Sequence, residues 1–362
     1  MVPIEPLISV VTPMFNEAEH LRECIESVRA QTYSNWEYII VDNCSSDQSH
    51  DIALSYQAKD RRIRLIKNQE FLPAIANFNH SLSFISPVST YCKIVFGDDW
   101  IFPECLEKMV EVAEKYPSVG VVGSYSLRGS RVECGGLPYP STFTSGRELC
   151  RRWFLDGLNV FGSSTCLLFR SDLVRQRHPF FEVENVHSDM ETCIALLKGC
   201  DFGFVHQVLT FSRERSNSLF AMTSSINMAT VSNVQGLVNH GAYYLSEAEY
   251  KICLDRDLSN YYATLVSGLL RGRGKGFFRY YRNGLFSVGL KFSWLRLCHA
   301  ALKNAFELLL NPKNTTDKIL QILNDRASRR RSGFLNENGK LSELQNKDSR
   351  VSDLPRQNGL RT

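Results

Sequence analysis

The amino-acid sequence predicts an α/β protein with a mostly parallel sheet flanked by helices. Over the first 126 residues, short apolar runs alternate with segments whose apolar residues recur at helical spacing, which is typical of consecutive βα units. Three of these runs lead into polar residues, at Asn16, Asp42 and Asp98. Ligands of open parallel sheets bind at the carboxyl ends of the strands, so we expect a site at that rim.

The apolar runs and the helical patterns define the elements in chain order. Strands are predicted at residues 8–11, 38–41, 63–66, 94–96, 119–125, 166–169, 202–205 and 209–212. Helices are predicted at residues 21–28, 46–56, 75–85, 106–113, 145–155 and 189–197. Gly and Pro residues between 127 and 145 indicate a surface connection.

The same patterns predict the domain organisation. Residues 1–220 form an α/β domain, whose regular alternation stops at about residue 126, so that residues 127–220 make a second half. The pattern from 221 to 324 is helical, and residues 325–362 are polar and basic. A stretch with so little apolar content is expected to be a disordered tail.

Composition limits the function classes. The chain has 362 residues, of which 43% are hydrophobic and 22% charged, values typical of a globular protein. The net charge of +4 does not by itself indicate a nucleic-acid binder. The 11 cysteines include no CxxC pair, which argues against a disulfide framework and a zinc site. No secretory signal and no run of about 18 uncharged apolar residues is apparent, so we expect a reducing, cytoplasmic location.

Two adjacent carboxylates, Asp98 and Asp99, follow the apolar run 94–96. Charges at the end of a buried strand must be solvated or neutralised, and a divalent cation bridging to a phosphate would neutralise them. Oxygen ligands of this kind suit Mg²⁺ or Mn²⁺. The alternative is an acidic turn that caps the next helix, where Pro103 and Glu104 suit a first turn.

Three segments resemble the family 2 glycosyltransferases, which bind nucleotide sugars on a GT-A fold. They are residues 10–17 (VVTPMFNE), residues 39–47 (IIVDNCSSD) and a helix containing Asn77 and Asn79. Their order and spacing also match, and the resemblance covers about the first 220 residues. It implies that residues 1–126 form the nucleotide-binding half of a catalytic domain and residues 127–220 the acceptor half.

The resemblance also implies the donor site. Pro13 and Glu17 would line the nucleotide pocket, Asp42 would accept hydrogen bonds from the base, and Asn79 would belong to the same site. A carboxylate suits the N–H donors of uracil or a related base. Alternatively, Pro13 only ends a strand, Glu17 favours a helix N-terminus and Asp42 forms an Asx turn.

The metal strand departs from the family pattern. Relatives usually carry Asp-x-Asp-Asp there, and Phe96 occupies the first of these positions. A carboxylate that often contacts the sugar or ribose is therefore missing, which leaves the donor open. The remaining pair implies a divalent metal, Mn²⁺ or Mg²⁺, bound chiefly by Asp99 with Asp98.

The acceptor half supplies the remaining candidates. Asp189 corresponds to the family's catalytic base, with Glu191 as the nearest rival and a plain helix N-cap as the alternative. His187 could orient a neighbour. Arg213 and Arg215 follow a strand in a loop that in relatives closes over the diphosphate, or else they are solvated surface residues. Residues 159–165 resemble the glycine-containing loop that faces donor and acceptor.

The implied reaction is inverting transfer of a sugar from a nucleoside-diphosphate sugar, with a UDP-sugar favoured, to the hydroxyl of a saccharide or lipid-linked saccharide. Polysaccharide biosynthesis is the expected context. One alternative is a non-catalytic scaffold on a degenerate fold, which Phe96 motivates. A weaker alternative is a sugar-phosphate nucleotidyltransferase, which should carry a glycine-rich phosphate loop where this chain has residues 13–17.

A basic and aromatic segment at residues 271–303 suggests a further partner. No Asp or Glu lies between Leu258 and Phe306, while arginines and lysines alternate with aromatic residues. Such a segment could contact anionic lipid on the inner face of the cell membrane. Alternatively, its helices pack their aromatics on the catalytic domain. The segment contains no recognised nucleic-acid-reading motif.

Overall fold

The computed structural model describes residues 5–183, 185, 187–214 and 227–310. The predicted site residue Arg215 and the predicted tail 325–362 lie outside these residues. Contacts divide the chain into two compact units. The first contains the described residues up to 214 together with Tyr243–Leu245, and the second contains the described residues 227–242 and 246–310.

The first unit is built on one ten-stranded sheet. Its strands are β1 (Ile8–Met14), β2 (Trp36–Asp42), β3 (Ile63–Lys67), β4 (Tyr91–Ile94), β5 (Trp100–Ile101), β6 (Val119–Arg128), β7 (Arg131–Glu133), β8 (Phe143–Thr144), β9 (Leu167–Arg170) and β10 (Asp201–Ser212). The strand order is β3-β2-β1-β4-β9-β6-β10-β5, with β7 beside β6 and β8 beside β10. Strands β1 to β4 pair in parallel, as do β6 and β10, whereas β9 runs antiparallel between β4 and β6.

Seven helices connect these strands in the described part of the first unit. They are α1 (Leu21–Arg29), α2 (Ser49–Gln57), α3 (Ala74–Leu82), α4 (Cys105–Lys115), α5 (Gly146–Asp156), α6 (Ser171–Gln176) and α7 (Ser188–Leu196). Each of the longer helices buries its apolar stripe, as Leu21, Cys24, Ile25 and Val28 of α1 show. The main core lies between these stripes and the buried strands β1, β2 and β4.

The predicted α/β class with a mostly parallel sheet is confirmed, with two local differences. Strand β4 ends at Ile94, so the acidic pair stands on a turn rather than at the strand's last position. The two short strands expected at residues 202–205 and 209–212 are one strand, β10. Its register against β6 shifts between Val205 and Val208, because a bulge bends the strand without ending it.

In the described residues of the second unit, all the regular elements are helices. Its helices are α8 (Ala229–Tyr244), whose last two residues group with the first unit, α9 (Glu247–Leu270), α10 (Lys275–Phe286) and α11 (Trp294–Leu310). A capping box between Ser246 and Glu249 starts α9. Helix α9 packs against α10 and α11, and the rings of Tyr261, Phe277 and Tyr281 are buried among them. None of the helices in the described ranges combines the length and apolar character that a membrane crossing needs.

Candidate functional site

The carboxyl ends of β1, β2 and β4 meet at one rim of the sheet. Met14 pairs with Asp42 across β1 and β2, and Val11 pairs with Ile94 across β1 and β4. The chain that leaves β4 continues the pairing, since the Val95 N–H donates to the Val11 carbonyl at 3.0 Å. The loops that follow these three strands therefore stand side by side, as the sequence predicts.

Side chains of the loop after β2 hold the loop after β1 in place. The hydroxyl of Ser45 accepts from the backbone N–H of Asn16 at 3.1 Å, and the hydroxyl of Ser49 accepts from that of Glu17 at 2.8 Å. Asn16 has a φ of 54°, a backbone conformation that asparagine tolerates better than most residues. The Ser-rich sequence after β2 thus fixes the position of Glu17.

The Asp42 carboxylate lies beneath this rim rather than on it. Its side chain is fully buried, and its oxygens accept from the Ser45 N–H at 2.9 Å and contact His50 Nδ1 at 2.9 Å. The Ser45 contact is the Asx-type turn that the sequence leaves open. The His50 side chain is 30% exposed, so the imidazole is the more accessible member of the pair.

Two exposed aromatic rings stand beside this rim. Phe15, in the loop after β1, and Phe71, in the loop after β3, pack edge to face with ring centroids 4.9 Å apart. They are 42% and 44% exposed. Exposed aromatic rings beside a polar loop can stack on a planar base. Sequence reasoning missed both, although a Phe at a loop position next to Asn16 is a detectable signal.

The turn that carries the acidic pair packs directly against the loop after β1. A Cβ at Gly97 would lie 3.0 Å from Glu17 Cγ, so glycine permits the close approach. Asp98 is half-buried, and its backbone carbonyl accepts from Arg213 Nε at 3.2 Å. The loops that carry Glu17, Asp98 and Arg213 therefore lie side by side.

Asp99 is buried and fully engaged by the protein. Its oxygens accept from the Thr165 hydroxyl at 2.6 Å, the Ser212 hydroxyl at 3.3 Å and the Arg213 N–H at 3.0 Å. Burial, and next the negative charge of Asp98, raise the pKa of Asp99 to about 7. A nearby cation would relieve both causes, so the carboxyl pair fits a divalent metal.

A metal at this pair would take most of its ligands from elsewhere. Within the described residues, no group of three or more His, Cys, Asp or Glu side chains could hold an ion. Mg²⁺ and Mn²⁺ accept one or two carboxylates and complete their shells with phosphate oxygens and water. Asp98 is the more exposed of the two. That the metal is bound chiefly by Asp99 stays a prediction. The Asp99 oxygens already accept hydrogen bonds from three donors of the protein.

Arg213 is held by a second set of contacts. Its terminal nitrogen pairs with Glu23 of α1 at 2.6 Å, and its guanidinium lies 5.3 Å from the ring of Trp100. Trp100 stacks on Phe211 at 3.6 Å. The Arg213 side chain is 25% exposed, so it is neither a solvated surface residue nor fully enclosed.

Thr165 connects the acidic pair to the strand beneath it. Its hydroxyl, which donates to Asp99, accepts from the Phe96 N–H at 3.2 Å, and its carbonyl accepts from Lys93 Nζ at 2.7 Å. Lys93 is completely buried in β4. Sequence reasoning missed this lysine, although a single Lys inside the apolar run 91–95 is a visible exception to burial rules.

The loop before Thr165 also reaches a buried thiol pair. Gly162 has a φ of 60°, and a Cβ there would lie 2.3 Å from Cys134 Sγ and 2.8 Å from Cys166 Sγ. Hydrogen bonding from Cys134 lowers the pKa of Cys166 to about 5. Only glycine fits this position, which agrees with its predicted place in the loop at residues 159–165.

Asp189 stands in the first turn of α7. Burial raises the pKa of Asp189 to about 6. Asp189 Oδ1 accepts from the Met190 N–H at 2.8 Å.

The neighbours of Asp189 have other partners. Glu191, its rival for the role of base, accepts from Asn185 Nδ2 at 2.5 Å. The N–H of His187 donates to Asn185 Oδ1 at 2.9 Å. Burial lowers the pKa of His187 below its usual value, so the ring is neutral at pH 7. The Glu191 carboxylate is therefore engaged by the Asn185 side chain.

Asn79 and Phe96 are engaged within the protein. The Asn79 amide donates to the Phe181 carbonyl and accepts from the Phe181 N–H, both at 2.8 Å. The ring of Phe96 packs against Phe78 with centroids 5.0 Å apart. A contact of Asn79 with the sugar nucleotide, as predicted, would use the second amide N–H and the second lone pair of the amide oxygen, which the two hydrogen bonds to Phe181 do not occupy.

Comparison with known proteins agrees with this architecture. The family model described as glycosyl transferase family 2 matches residues 9–176. The teichuronic acid biosynthesis glycosyltransferase TuaG of Bacillus subtilis is 34% identical over 196 residues, which are 54% of this chain and 73% of TuaG. The chain belongs to glycosyltransferase family 2. The family 2 chain shares 35% identity over 153 residues with the glycosyltransferase EpsE of B. subtilis, covering 40% of its own length and about half, 54%, of EpsE.

Solved structures share the fold of this family 2 chain. Residues 1–349 of Staphylococcus aureus TarS, in complex with UDP-GlcNAc, match it with a TM-score of 0.58 at 15% identity, over 91% of this chain and 93% of the TarS chain. The mannosyltransferase PcManGT of Pyrobaculum calidifontis, with GDP-Man and Mn²⁺, matches with a TM-score of 0.52 at 15% identity, over 90% and 87% of the chains. The predicted GT-A fold with a helical C-terminal region is confirmed.

Proposed function

We propose that this chain is an inverting glycosyltransferase that moves a sugar from a nucleoside-diphosphate sugar to an acceptor hydroxyl. The observation that carries the proposal is that the loops bearing Glu17, Asp98 and Arg213 meet at one rim of the sheet. A cationic side chain and a carboxyl pair suit a diphosphate with a metal. Asp189, half-buried in the first turn of α7 and with a raised pKa, suits a general base.

We assign direct contacts with the nucleotide sugar to the side chains that are accessible at the rim. Glu17, Asp98 and Arg213 have side chains that reach the rim, and Pro13 lies beneath them in β1. Phe15 and Phe71 would stack on the base. Asp42 and Asn79, the other predicted donor residues, would support the rim from below, since their polar atoms are engaged by Ser45, His50 and Phe181. Arg215, whose predicted phosphate contact belongs to the same loop, lies outside the described residues.

The transfer step needs a base and a stabilised leaving group. Asp189 would take the proton of the acceptor hydroxyl as its oxygen attacks the anomeric carbon, so that the bond to the nucleoside diphosphate breaks in a single displacement. Arg213 would pair with the departing phosphate oxygens. A divalent metal bound by Asp98 and Asp99 would neutralise the charge that develops on the diphosphate. Lys93 and Thr165 would hold the turn that carries this pair.

The identity of the sugar donor, the metal and the biosynthetic pathway are the more specific parts of the proposal. A UDP-sugar is favoured, because the structural neighbour TarS was solved with UDP-GlcNAc, and Mn²⁺ is a candidate metal because PcManGT was solved with Mn²⁺. TuaG is named for teichuronic acid biosynthesis, which supports a role in cell-surface polysaccharide synthesis. A saccharide or lipid-linked saccharide acceptor at a cytoplasmic location would fit such a pathway.

A thermal-shift and nucleotide-release screen tests this function. Bound donor stabilises the native state by mass action, so UDP-sugars with Mn²⁺ are expected to raise Tm and to yield UDP when acceptor or water is present. Asp98→Ala and Asp99→Ala are both expected to weaken the metal-dependent release. If no nucleotide sugar shifts Tm and none is consumed, the scaffold alternative replaces the transferase proposal.

Peripheral membrane contact is a second proposal, and helix α11 supports it. Five apolar side chains on α11 are between 63% and 83% exposed, namely Trp294, Leu295, Leu302, Phe306 and Leu310. Anionic lipid would cover an apolar face set in a basic segment. We expect salt-sensitive co-sedimentation with anionic liposomes that Leu295→Glu weakens and that Ile252→Glu, at an exposed site on α9, does not. Equal binding by both variants, or none by the wild type, would remove this proposal.

A further inference from the structure

His50, in the first turn of α2, is a polar side chain at the rim that has no part in the proposed transfer reaction. Its Nδ1 lies 2.9 Å from Oδ2 of Asp42, and its side chain is 30% exposed, whereas that of Asp42 is fully buried. The other oxygen of Asp42 accepts from the Ser45 N–H at 2.9 Å. A ligand at this rim therefore meets the imidazole of His50 before the carboxylate of Asp42.

The Asp42 carboxylate determines which ring nitrogen of His50 can accept a hydrogen bond. An ionised carboxylate only accepts, so Nδ1 carries the hydrogen of the contact with Asp42. In the neutral imidazole, Nε2 is then an acceptor. Within the described part of the chain, Nε2 has no hydrogen-bond partner and is not among the buried polar atoms. The pair thus offers a ligand one acceptor in a fixed tautomer.

The two exposed aromatic rings beside the rim are anchored to Asn43, the residue that follows β2. The Asn43 N–H donates at 2.9 Å to the carbonyl of Met14, which precedes Phe15. The Asn43 amide donates to the Leu72 carbonyl at 2.7 Å and accepts from the Leu72 N–H at 2.9 Å, and Leu72 follows Phe71. The rings and the imidazole are therefore held at the same end of β2.

The backbone around His50 is ordered by the loop after β1. Ser49, the residue before His50, is completely buried, and its hydroxyl accepts from the Glu17 N–H at 2.8 Å. The Ser45 hydroxyl accepts from the Asn16 N–H at 3.1 Å. A binding group whose surroundings are already fixed loses less conformational entropy when a ligand arrives. His50 is therefore a pre-positioned contact.

A single acceptor beside aromatic rings suits a uracil base. A base that stacks on an aromatic side chain can present its Watson–Crick edge to a hydrogen-bonding partner. Uracil has an N–H donor at N3 on this edge, whereas cytosine, a base of the same size, has an acceptor there. Nε2 of His50 would accept from the uracil N–H, but would meet a second lone pair on cytosine.

We propose that His50 recognises the base of the sugar nucleotide, with Nε2 accepting from N3–H of uracil. Asp42 fixes the tautomer of the ring from below and is a positioning residue, in place of the direct base contact that the family resemblance implies for it. The role of His50 rests on the proposed function, since a uracil base enters this site only as part of a nucleotide. A preference for UDP over CDP then belongs to the Asp42–His50 pair.

Calorimetric titration of the full chain with UDP, CDP and 3-methyl-UDP, each with Mn²⁺, tests this role. In 3-methyl-UDP a methyl group replaces the hydrogen on N3. Loss of this hydrogen bond should weaken the binding of CDP and 3-methyl-UDP to the wild type about tenfold relative to UDP. His50→Ala should bind all three nucleotides equally. The matched control is His80→Ala, at an exposed histidine of α3 whose ring packs on Phe84, and it should keep the wild-type preference.

Asp42→Asn provides a readout that a merely structural role would not change. The oxygen of the new amide can still accept from the Ser45 N–H, while its N–H donates to Nδ1 of His50. Nε2 must then carry the ring hydrogen and becomes a donor, which suits N3 of cytosine. We expect the ratio of the Kd values for UDP and CDP to shift about tenfold or more toward CDP.

The outcomes separate the role of His50 from the proposed function. If neither UDP nor CDP binds the wild type and no nucleotide sugar is consumed, both proposals fail. If UDP binds but CDP or 3-methyl-UDP binds equally well, or if His50→Ala keeps the preference for UDP, only the role of His50 is overturned. If His50→Ala does not fold, as judged by circular dichroism, His50→Lys replaces it, because lysine can donate to Asp42 and offers no acceptor. A preference for UDP that persists in His50→Lys likewise overturns the role.

Discussion

Asp99 accepts a hydrogen bond from the backbone N–H of Arg213 at 3.0 Å, which joins the turn after β4 to the end of β10. The same carboxylate receives the hydroxyls of Thr165 and Ser212. One side chain thus connects the βα units before residue 126 with the segments at Thr165 and at the end of β10. Asp98, its neighbour, keeps a half-buried side chain at the surface of the same turn.

The two carboxylates should respond differently to substitution. Asp99→Ala leaves three donors without their acceptor, so we expect the free energy of unfolding to fall by about 2–4 kcal/mol. Asp98→Ala should cost less than about 1 kcal/mol, because this half-buried side chain is partly solvated. Urea unfolding in EDTA measures both effects. Equal losses of stability would contradict the connecting role of Asp99.

The same pair gives a prediction for the metal. Asp98→Asn should raise the Mn²⁺ concentration needed for half-maximal nucleotide release more than Asp99→Asn does, because the Asp99 oxygens already serve three donors. Metal titrations of both variants, corrected for the folded fraction, provide the measurement. A larger effect in Asp99→Asn would support the sequence-based preference for Asp99.

Phe15 and Phe71 should contribute to nucleotide affinity and little to stability. Stacking of a base on an aromatic ring is worth about 1–3 kcal/mol, so either Phe→Ala change should weaken UDP binding about tenfold. Both rings are more than two-fifths exposed, so Tm should change little. Calorimetry with UDP tests this. Phe286→Ala, at a 53% exposed ring on α10, is the control, and an equal loss of affinity there would count against base stacking.

Asn79 should act mainly through Phe181. Asn79→Ala removes both hydrogen bonds to the Phe181 backbone, and we expect the free energy of unfolding to fall by about 1–3 kcal/mol. The Kd for a UDP-sugar should stay within about threefold, a change of less than 1 kcal/mol. Chemical denaturation and donor titration separate the two effects. A stable variant with a tenfold weaker Kd would instead favour the direct donor contact that the family resemblance implies.

Much of this site was predictable because parallel strands bring their carboxyl ends together. That rule placed the residues after β1, β2 and β4 on one rim, and the apolar run before Asp98 marked the acidic pair, whereas Asp189 was proposed only through the resemblance to family 2 glycosyltransferases. The sequence could not show how deeply each of these side chains is buried. Asp42 ends its strand as expected, yet its carboxylate is fully buried, because the Ser45 N–H and His50, both from the following turn and helix, enclose it.

Contacts between distant segments were also beyond the sequence pattern. Thr165 lies 66 residues from Asp99, and Phe181 lies 102 residues from Asn79. Nothing in the local sequence links these partners. Lys93 interrupts an apolar strand, which marks it as unusual, but its partner, the Thr165 carbonyl, follows only from the antiparallel placement of β9 beside β4.

The most direct test of the account is the pH dependence of nucleotide release from a UDP-sugar by the wild type and by Asp189→Asn. Burial raises the pKa of Asp189 to about 6, so the base is protonated and inactive below that pH and ionised above it. We expect wild-type kcat/KM to rise through about pH 6 to a plateau, and Asp189→Asn to bind UDP normally while losing about 100-fold or more in kcat. An Asp189→Asn variant that retains the wild-type rate and pH profile would contradict the proposed mechanism.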